Sequence, residues 1–234
     1  MQLLDGKTIA AQVRAEVRAE AEALCAAGLR VPRLVIVLAG DNPASEIYVG
    51  NKLRAAREAG IEAECVRING TASTGDLLRE VERLNADDTV DGIVVQLPLP
   101  AQMDAKLVLA AIDRRKDVDR TVEKRSVEEL LHRSGVDKEG RELVVTERNI
   151  PGSLTGDMVP DGAIVIDMGF TRIDDPAAEK GYRIVGDAVV ESVSRKAAWL
   201  SPVPGGVGPM LIAVLLQNVL ESRKKTARDM VVTR

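Results

Sequence analysis

Strand-like and helix-like patterns alternate along this chain, and that alternation constrains its fold more than any other feature. Residues 33–39 (RLVIVLA) form a continuous apolar run, which is typical of a strand buried on both faces of a parallel sheet. Further strands are predicted at 61–68, 92–100 and 162–170. The pattern predicts an α/β protein of parallel sheets, in which ligands lie at the carboxyl ends of the strands.

The predicted helices carry their own boundary signals. Glycine follows the first two, at 7–27 and 44–59, and glycine is the residue that most readily ends a helix. Ser73 and Asp76 have the spacing of a capping box, which predicts the start of a third helix. Other helices are predicted at 105–112, 120–135 and 210–221.

Tyr48 and Lys52 lie four residues apart on the second predicted helix, so their side chains share one helical face. A lysine beside a phenol on the wall of a cleft can transfer protons, because burial and neighbouring groups can lower a lysine pKa towards neutrality. Taken alone, the spacing fits a solvated lysine on an amphipathic helix better, because lysines are mostly exposed.

Two further polar residues fall at predicted strand ends. Gln96 precedes the prolines that stop the third strand, and its amide can position a lysine or a ligand carbonyl; a solvated loop residue is the alternative. Asp119 closes the next turn. Its carboxylate could bind paired N–H donors of a ligand, or it could cap the following helix.

Composition excludes several classes of partner and site. The net charge of -4 gives no reason to expect nucleic acid or an anionic membrane, and four aromatic residues are too few for base stacking. The single histidine argues against a His-rich metal site, and no metal is expected. Cys25 and Cys65 are expected to be core thiols of a reducing compartment. The N-terminus lacks the apolar block of a signal peptide, so a cytoplasmic protein is expected.

The second half of the chain departs from the regular alternation. A strand is predicted to begin at Leu143, but the glycine-rich turn and helix that complete a nucleotide-binding unit do not follow it. The segment 201–210 (SPVPGGVGPM) is a turn-rich loop whose glycines permit close approach of backbone to a ligand. Loops of this composition are more often simple connectors.

Taken in order, these segments resemble the bifunctional methylenetetrahydrofolate dehydrogenase/methenyltetrahydrofolate cyclohydrolase family. The resemblance covers nearly all of 1–119 and 154–222. It is carried by long, specific strings: LDGKTIA (4–10), NPASEIYVGNKLRAAREAGI (42–61), VDGIVVQLPLP (90–100), KDVD (116–119), GAIVIDMGFTR (162–172), VGDA (185–188) and SPVPGGVGPM (201–210).

The resemblance implies an enzyme that oxidises methylenetetrahydrofolate with NADP or NAD and hydrolyses the product to formyltetrahydrofolate. It implies catalytic roles for Lys52 as general acid/base, Tyr48 as its aromatic neighbour over the folate, Gln96 as the residue that orients the lysine, and Asp119 as the anchor of the pterin ring. The remaining folate-site residues that it implies are Pro98, Pro204, Gly205 and Gly208. Phe170 is implied to lie where the backbone meets the nicotinamide. A homodimer is also implied.

The chain departs from the family in its dinucleotide half. The family's phosphate loop, with the strands and helices after it, has no counterpart between Val145 and Ile150, and Arg120 to Lys124 replace a loop rich in Pro and Asn. Either the chain has lost its nucleotide site, or the sequence omits residues of a longer protein. The expected fold is two parallel-sheet α/β domains flanking a cleft. These are a folate-binding catalytic domain (1–119 plus 205–230) and a shortened Rossmann-like NAD(P)-binding domain (120–204).

Three functions follow from these residues. The first is the bifunctional enzyme, in a protein whose full chain includes the missing phosphate loop, and it is favoured because the folate half keeps all four catalytic residues. The second is a cyclohydrolase without a working dehydrogenase, and the third is a folate-binding pseudoenzyme.

Overall fold

The apolar runs form the strands of two parallel sheets in the computed structural model, which describes residues 1–179 and 181–232. The helices are α1 (Gly6–Ala26), α2 (Pro43–Glu58), α3 (Thr74–Ala86), α4 (Ala105–Ala110), α5 (Val122–Arg133), α6 (Val190–Val193) and α7 (Val207–Val232). The strands are β1 (Gln2–Leu3), β2 (Arg33–Ala39), β3 (Glu62–Ile68), β4 (Gly92–Val95), β5 (Leu143–Thr146), β6 (Ile164–Asp167), β7 (Thr171–Asp174), β8 (Tyr182–Val185) and β9 (Trp199–Leu200).

The chain divides into two compact units. Unit I comprises residues 1–12 and 123–213, and unit II comprises residues 13–122 and 214–232. The predicted domain ranges placed the N-terminus with the folate half, whereas β1 pairs with β9 of unit I. The amide of Gln2 donates to the carbonyl of Ala198 at 2.7 Å, and that of Leu4 to Leu200 at 2.9 Å.

Unit II is built on a three-stranded parallel sheet in the order β3-β2-β4. The central strand, β2, is buried along all but its first residue, as its uninterrupted apolar run predicts. From β2 the chain goes first to one neighbour and then to the other, so the strand order reverses between β3 and β4. A reversal of this kind opens a crevice at the carboxyl ends of the strands.

Helix boundaries in unit II follow the predicted signals. The Asn42 side chain caps α2 by accepting from two backbone amides. Ser73 and Asp76 form the predicted capping box at the start of α3. Gly60 has a φ of 72°, and this left-handed conformation carries the chain from α2 into β3.

Unit I contains a four-stranded parallel sheet in the order β1-β9-β6-β5, and β7 with β8 forms a separate antiparallel hairpin. Strand β5 is an edge strand, and its Leu143 and Val145 are exposed. Between β5 and β6 the described chain has one 3₁₀ turn, Gly156–Met158, and no α-helix. The core of this unit lies around Leu154, Val159, Ala163, Val165, Val193, Ala197 and Leu200.

Several details differ from the sequence expectations. Strand β4 ends at Val95, because the following segment turns away into prolines, and β6 is shorter than the predicted 162–170. The last helix continues to Val232, well beyond the predicted end at 221. Cys25 is exposed, so the expectation of a core thiol was wrong there, and Cys65 is partly buried. Within the described residues no helix is long and apolar enough to cross a membrane.

Candidate active site

The site in unit II begins where β4 ends. Gln96 directly follows β4, and its backbone amide donates to the carbonyl of Val37 in β2 at 2.9 Å. That bond fixes Gln96 between the two strands where the strand order reverses. A polar side chain is therefore held at the position where open α/β sheets bind ligands.

The Lys52 ammonium reaches this position from α2. Its Nζ donates to Oε1 of Gln96 at 3.1 Å, and Lys52 is partly buried. Nε2 of Gln96 donates to the carbonyl of Leu97 at 2.7 Å. Because that carbonyl can only accept, it determines which end of the amide faces the lysine. The structure thus brings together two residues 44 positions apart, with the acceptor of one facing the donor of the other.

Tyr48 and Pro98 lie on the same two segments as this pair. Tyr48 is one turn before Lys52 on α2, and 44% of its surface is exposed. Ser45 is buried on the same helix, and its hydroxyl donates to the carbonyl of Leu97 at 3.4 Å. This bond ties the start of α2 to the residue before Pro98. Ser45 was not identified from the sequence, because a buried serine early in a helix carries no motif.

Asp119 is positioned by a short extended segment alongside β4. Ile93 and Asp117 form a parallel bridge, so the same register brings Asp119 level with Val95 at the end of β4. Val118 is buried, and its carbonyl accepts from the side chain of Asn218 at 2.7 Å. The Asp119 carboxylate is exposed at the carboxyl edge of the sheet.

Two residues of the same segment were missed as contributors to the site. Lys116 is buried, and its ammonium donates to three carbonyls at the end of α3, those of Leu84, Asn85 and Asp87. Burial lowers the pKa of Lys116 from its usual value, although the nearby Asp88 carboxylate opposes this effect. Asp117 accepts the amide of Arg120, and burial raises the pKa of its carboxyl group. The KDVD string pointed only to Asp119, because the side chains of Lys116 and Asp117 bind backbone groups that lie outside the string.

The loop 201–206 of unit I brings backbone segments into close contact. The carbonyl of Gly205 accepts from the amide of Lys7, and the φ of Gly205 is 111°, which favours glycine. A Cβ atom at Gly6 would lie 1.8 Å from the carbonyl oxygen of Gly206, so only glycine fits there. Pro204 is exposed, and a Cβ atom at Gly208 would meet no atom within 4 Å. The surface around these two residues is open.

Phe170 lies just after β6 in unit I and is exposed. Its backbone amide donates to Oδ1 of Asn149 at 2.8 Å. Asn149 has a φ of 58°, in the left-handed region that non-glycine residues rarely occupy. The loop after β5 is thereby tied to the loop after β6.

A cavity of about 440 Å³ lies at the carboxyl ends of β6 and β9 in unit I. Its size is within the usual range for small-ligand sites. The lining is largely apolar and includes Val190, Leu200 and the segment 202–204. Its charged side chains are those of Arg183 and Asp167.

The predicted site residues are thus distributed over both units. Unit II contains Tyr48, Lys52, Gln96, Pro98 and Asp119, and unit I contains Phe170, Pro204, Gly205 and Gly208.

Comparison with known families accounts for both units. Residues 4–119 match the tetrahydrofolate dehydrogenase/cyclohydrolase catalytic domain, and residues 138–227 match the NAD(P)-binding domain of the same family. The chain belongs to the tetrahydrofolate dehydrogenase/cyclohydrolase family. The predicted family and the predicted class of parallel-sheet α/β domains are therefore confirmed.

Relatives within this family align over nearly the whole chain. The bifunctional protein FolD of Flavobacterium johnsoniae is 36% identical, with 96% of this chain and 98% of the relative covered. FolD of Moorella thermoacetica is 37% identical, with 96% and 99% covered. The crystal structure of the Campylobacter jejuni bifunctional enzyme has a TM-score of 0.85 at 32% identity, covering 96% of this chain and 99% of that one. That of the Trypanosoma brucei enzyme, complexed with NADP cofactor and inhibitor, has a TM-score of 0.84 at 29% identity, covering 96% and 97%.

The alignments also show that family members have residues with no counterpart here. The alignment to the F. johnsoniae relative spans 288 positions, whereas this chain has 234 residues, so at least 54 positions of the relative are unmatched. A dinucleotide needs amide or cationic groups for its phosphates. In unit I the amides of Arg148 and Ile150, after β5, both donate to the buried carboxylate of Asp187. The residues at this strand end therefore do not fit a phosphate group.

Proposed function

We propose that this chain carries out the two reactions for which its family is named, oxidation of methylenetetrahydrofolate and hydrolysis of methenyltetrahydrofolate to formyltetrahydrofolate. The observation that supports this function is the Lys52–Gln96 contact of 3.1 Å at the carboxyl end of β4. It supplies a proton-transferring amine, oriented by an amide, at the crevice where the strand order reverses.

Hydrolysis requires proton transfer at two stages, and one lysine can serve both. Water adds to the methenyl carbon and loses a proton. One carbon–nitrogen bond then breaks as the departing nitrogen gains a proton and the new hydroxyl group loses its proton to become the formyl carbonyl, so that one proton is released overall. An amine that alternates between its free and protonated forms can accept the first proton and return the second. Gln96 is a positioning residue in this scheme, because it holds Nζ of Lys52 through Oε1.

Folate binding is assigned to the exposed groups around the lysine. Tyr48 offers a half-exposed ring one turn from Lys52, and Asp119 offers a carboxylate that suits the paired N–H donors of a pterin. Pro98, Pro204, Gly205 and Gly208 are assigned to the same substrate, and Phe170 to the nicotinamide. Oxidation needs a hydride acceptor, which a nicotinamide nucleotide supplies when bound.

Replacing the lysine tests this assignment. Lys52→Ala is expected to lower kcat for hydrolysis of methenyltetrahydrofolate by about 10³-fold, a typical contribution of general acid–base catalysis. Oxidation of methylenetetrahydrofolate should fall in parallel, measured as reduction of NADP or NAD. The matched control is Arg54→Ala on the same helix, because Arg54 is exposed and bonds only locally to Asn51 in the contacts described. Wild-type rates in Lys52→Ala would refute the role of Lys52.

The cyclohydrolase reaction alone is the second candidate function. It is supported by Asp187, whose carboxylate accepts the backbone amides of Arg148 and Ile150, so that these amides are not available to a phosphate. This candidate predicts that methenyltetrahydrofolate is hydrolysed while no nicotinamide nucleotide binds or is reduced. A folate-binding pseudoenzyme is a weaker candidate, because the Lys52–Gln96 pair is formed.

Domain ranges, assembly and location complete the proposal. We assign folate binding to residues 1–119 and 205–230 and nucleotide binding to residues 120–204, in a cytoplasmic homodimer. Light scattering after size exclusion tests the assembly, and a monomer at micromolar concentration would exclude the homodimer.

A further inference from the structure

Among the described strands of unit I, the run from β5 through β6 to β9 contains no reversal of strand order. From β5 the chain moves to β6 and then to β9, always in the same direction across the sheet. In open α/β sheets the dinucleotide crevice forms where that direction changes, with strands on both sides. Among the described residues, β5 has β6 on one side and no strand on the other. The crevice that would receive the pyrophosphate thus lacks one of its walls.

The donors at the carboxyl end of β5 are already used within the protein. Asp187 is completely buried, and its carboxylate accepts from Thr146 Oγ1 at 2.8 Å, Arg148 N at 2.6 Å and Ile150 N at 2.8 Å. A phosphate placed there would meet a carboxylate instead of amides, and like charges at close range repel. The adjacent loop is held as well, by Asn149 and the amide of Phe170.

The cavity beside β6 and β9 offers a smaller site that remains open. Its apolar lining suits a flat ring, and the loop 202–204 and Val190 form part of its wall. Two charged side chains line it. Arg183 is 61% exposed and its Nε lies 3.5 Å from Oδ2 of Asp175, whereas the carboxylate of Asp167 accepts the amides of Gly169, Asp187 and Ala188. Arg183 is therefore the one basic group of the lining that a phosphate can approach. The cavity therefore matches half of a dinucleotide better than a whole one.

We propose that unit I recognises only the nicotinamide mononucleotide half of its cofactor and makes no binding contact with the adenosine phosphates. This inference rests on the proposed function, because it concerns the hydride acceptor of that reaction. NADP differs from NAD only by a phosphate on the adenosine ribose. The two dinucleotides should therefore bind equally, and neither should bind much better than nicotinamide mononucleotide.

Binding measured on the full chain tests this. Trp199, the single tryptophan, lies in β9 next to Leu200 of the cavity wall, so its fluorescence reports occupation of the cavity. We expect the Kd values of NADP, NAD and oxidised nicotinamide mononucleotide to agree within about threefold, with calorimetry as a second readout. Adenosine 2′,5′-bisphosphate should neither bind nor compete. A Kd for NADP about 30-fold or more below that for the mononucleotide would overturn the inference.

Three variants locate the site. Val190→Phe should weaken all three nicotinamide nucleotides about tenfold by narrowing the cavity, whereas the neighbouring Val189→Phe, outside the lining, should not. Arg148 is an exposed cation two residues after the edge strand β5, on whose open side the crevice lacks a wall. Arg148→Ala should leave the three Kd values unchanged. A selective loss of NADP binding in Arg148→Ala would show that the 2′-phosphate is recognised after all, and would overturn the inference.

Separate assays distinguish the two levels of the proposal. If methenyltetrahydrofolate is hydrolysed but no nicotinamide nucleotide binds, the inference fails and the cyclohydrolase half of the function stands. If the three nucleotides bind equally but hydrolysis is absent, the inference stands and the cyclohydrolase assignment fails.

Discussion

At the scale of single residues, the candidate site depends on the orientation of one amide. Gln96 faces Lys52 with its oxygen because its nitrogen is bonded to the carbonyl of Leu97. The amide thus offers the lysine an acceptor without a charge. A carboxylate in its place would add a negative charge beside the ammonium.

A carboxylate at position 96 should change the pH dependence of hydrolysis. In Gln96→Glu the added negative charge favours the protonated form of the neighbouring amine, so the profile of kcat against pH should move to higher pH and kcat near pH 7 should fall about tenfold or more. Gln96→Ala removes the acceptor without adding a charge, so kcat should fall with less displacement of the profile. The measurement is kcat for methenyltetrahydrofolate between pH 6 and 9, after subtraction of the uncatalysed rate. Identical pH profiles for Gln96→Glu and Gln96→Ala would show that the charge at position 96 has no influence on Lys52, and would contradict this prediction.

Asp117 and Asp113 should affect stability with opposite dependence on pH. Burial raises the pKa of Asp117 above the usual 3.8, so between 3.8 and its raised pKa the folded protein holds a proton that the unfolded chain has lost. Stability from this group falls as the pH rises through that window. The free energy of unfolding of Asp117→Asn, measured with urea, should therefore increase relative to that of wild type as the pH rises from 3 to 7.

Asp113 provides the matched comparison. Hydrogen bonds from Arg115 lower the pKa of Asp113, so its stabilising effect is present above the usual 3.8 and is lost as the pH falls through the lowered pKa. Asp113→Asn should thus lose stability relative to wild type as the pH rises. The same trend in both variants would show that burial does not control Asp117.

At the scale of elements, Lys116 links helix α3 to the segment that carries Asp119. The Lys116 ammonium lies at the carboxyl end of α3, where three carbonyls point at it, and its own carbonyl accepts from Ile93 of β4. A cation at this end of a helix also interacts favourably with the helix dipole. Through these bonds the segment that carries Asp119 is held between α3 and β4.

Lys116→Met should separate this structural role from catalysis. Methionine fills the space but leaves three carbonyls without their donor, so the free energy of unfolding should fall by about 2–3 kcal/mol. The control is Lys106→Met on the exposed side of α4, expected to change stability by less than about 0.5 kcal/mol. Asp119 should lose its position as well, raising KM for the folate more than it lowers kcat. An unchanged KM would mean that Asp119 is held by other contacts, such as that of Asn218 with Val118.

The elements that could be predicted are those whose signal is local. The strand at 33–39 and the capping box at Ser73 were identified from a few adjacent residues, and both are present. The pairing of Lys52 with Gln96 was suggested by the family resemblance, and the structure forms it between a side chain of α2 and the residue that follows β4. Whether these residues catalyse remains a prediction.

The elements that were missed depend on distant partners. Strands β1 and β9 are two residues long and exist only because they pair with each other and with β6. The last turns of α7 are rich in charge and carry no apolar period, so they appeared to lie outside the helix. Asp187 was recognised only as part of a family string, because its three donors lie about 40 positions earlier in the chain.

At the scale of the whole molecule, the two sheets are not equally complete. In unit II the strand order reverses between β3 and β4, and the lysine and the glutamine meet at that crevice. In unit I the described strands from β5 to β9 follow one direction, and the carboxylate of Asp187 accepts the amides at the end of the edge strand β5. Among the described residues, unit II therefore has a ligand crevice at the carboxyl ends of its strands, and unit I lacks the corresponding crevice for a dinucleotide.

The mass of the purified protein tests whether this asymmetry is real. The 234 residues of the sequence have a mass of 25.1 kDa, against which the intact mass from electrospray mass spectrometry is compared. A protein heavier by a βαβ unit, roughly 30 residues or more, would contain strands that complete the sheet of unit I beyond β5. The crevice for the adenosine phosphates would then exist, and NADP should bind more tightly than the mononucleotide. If the measured mass is 25.1 kDa, β5 is the edge strand of the sheet, and any hydride acceptor must bind without further strands beside it.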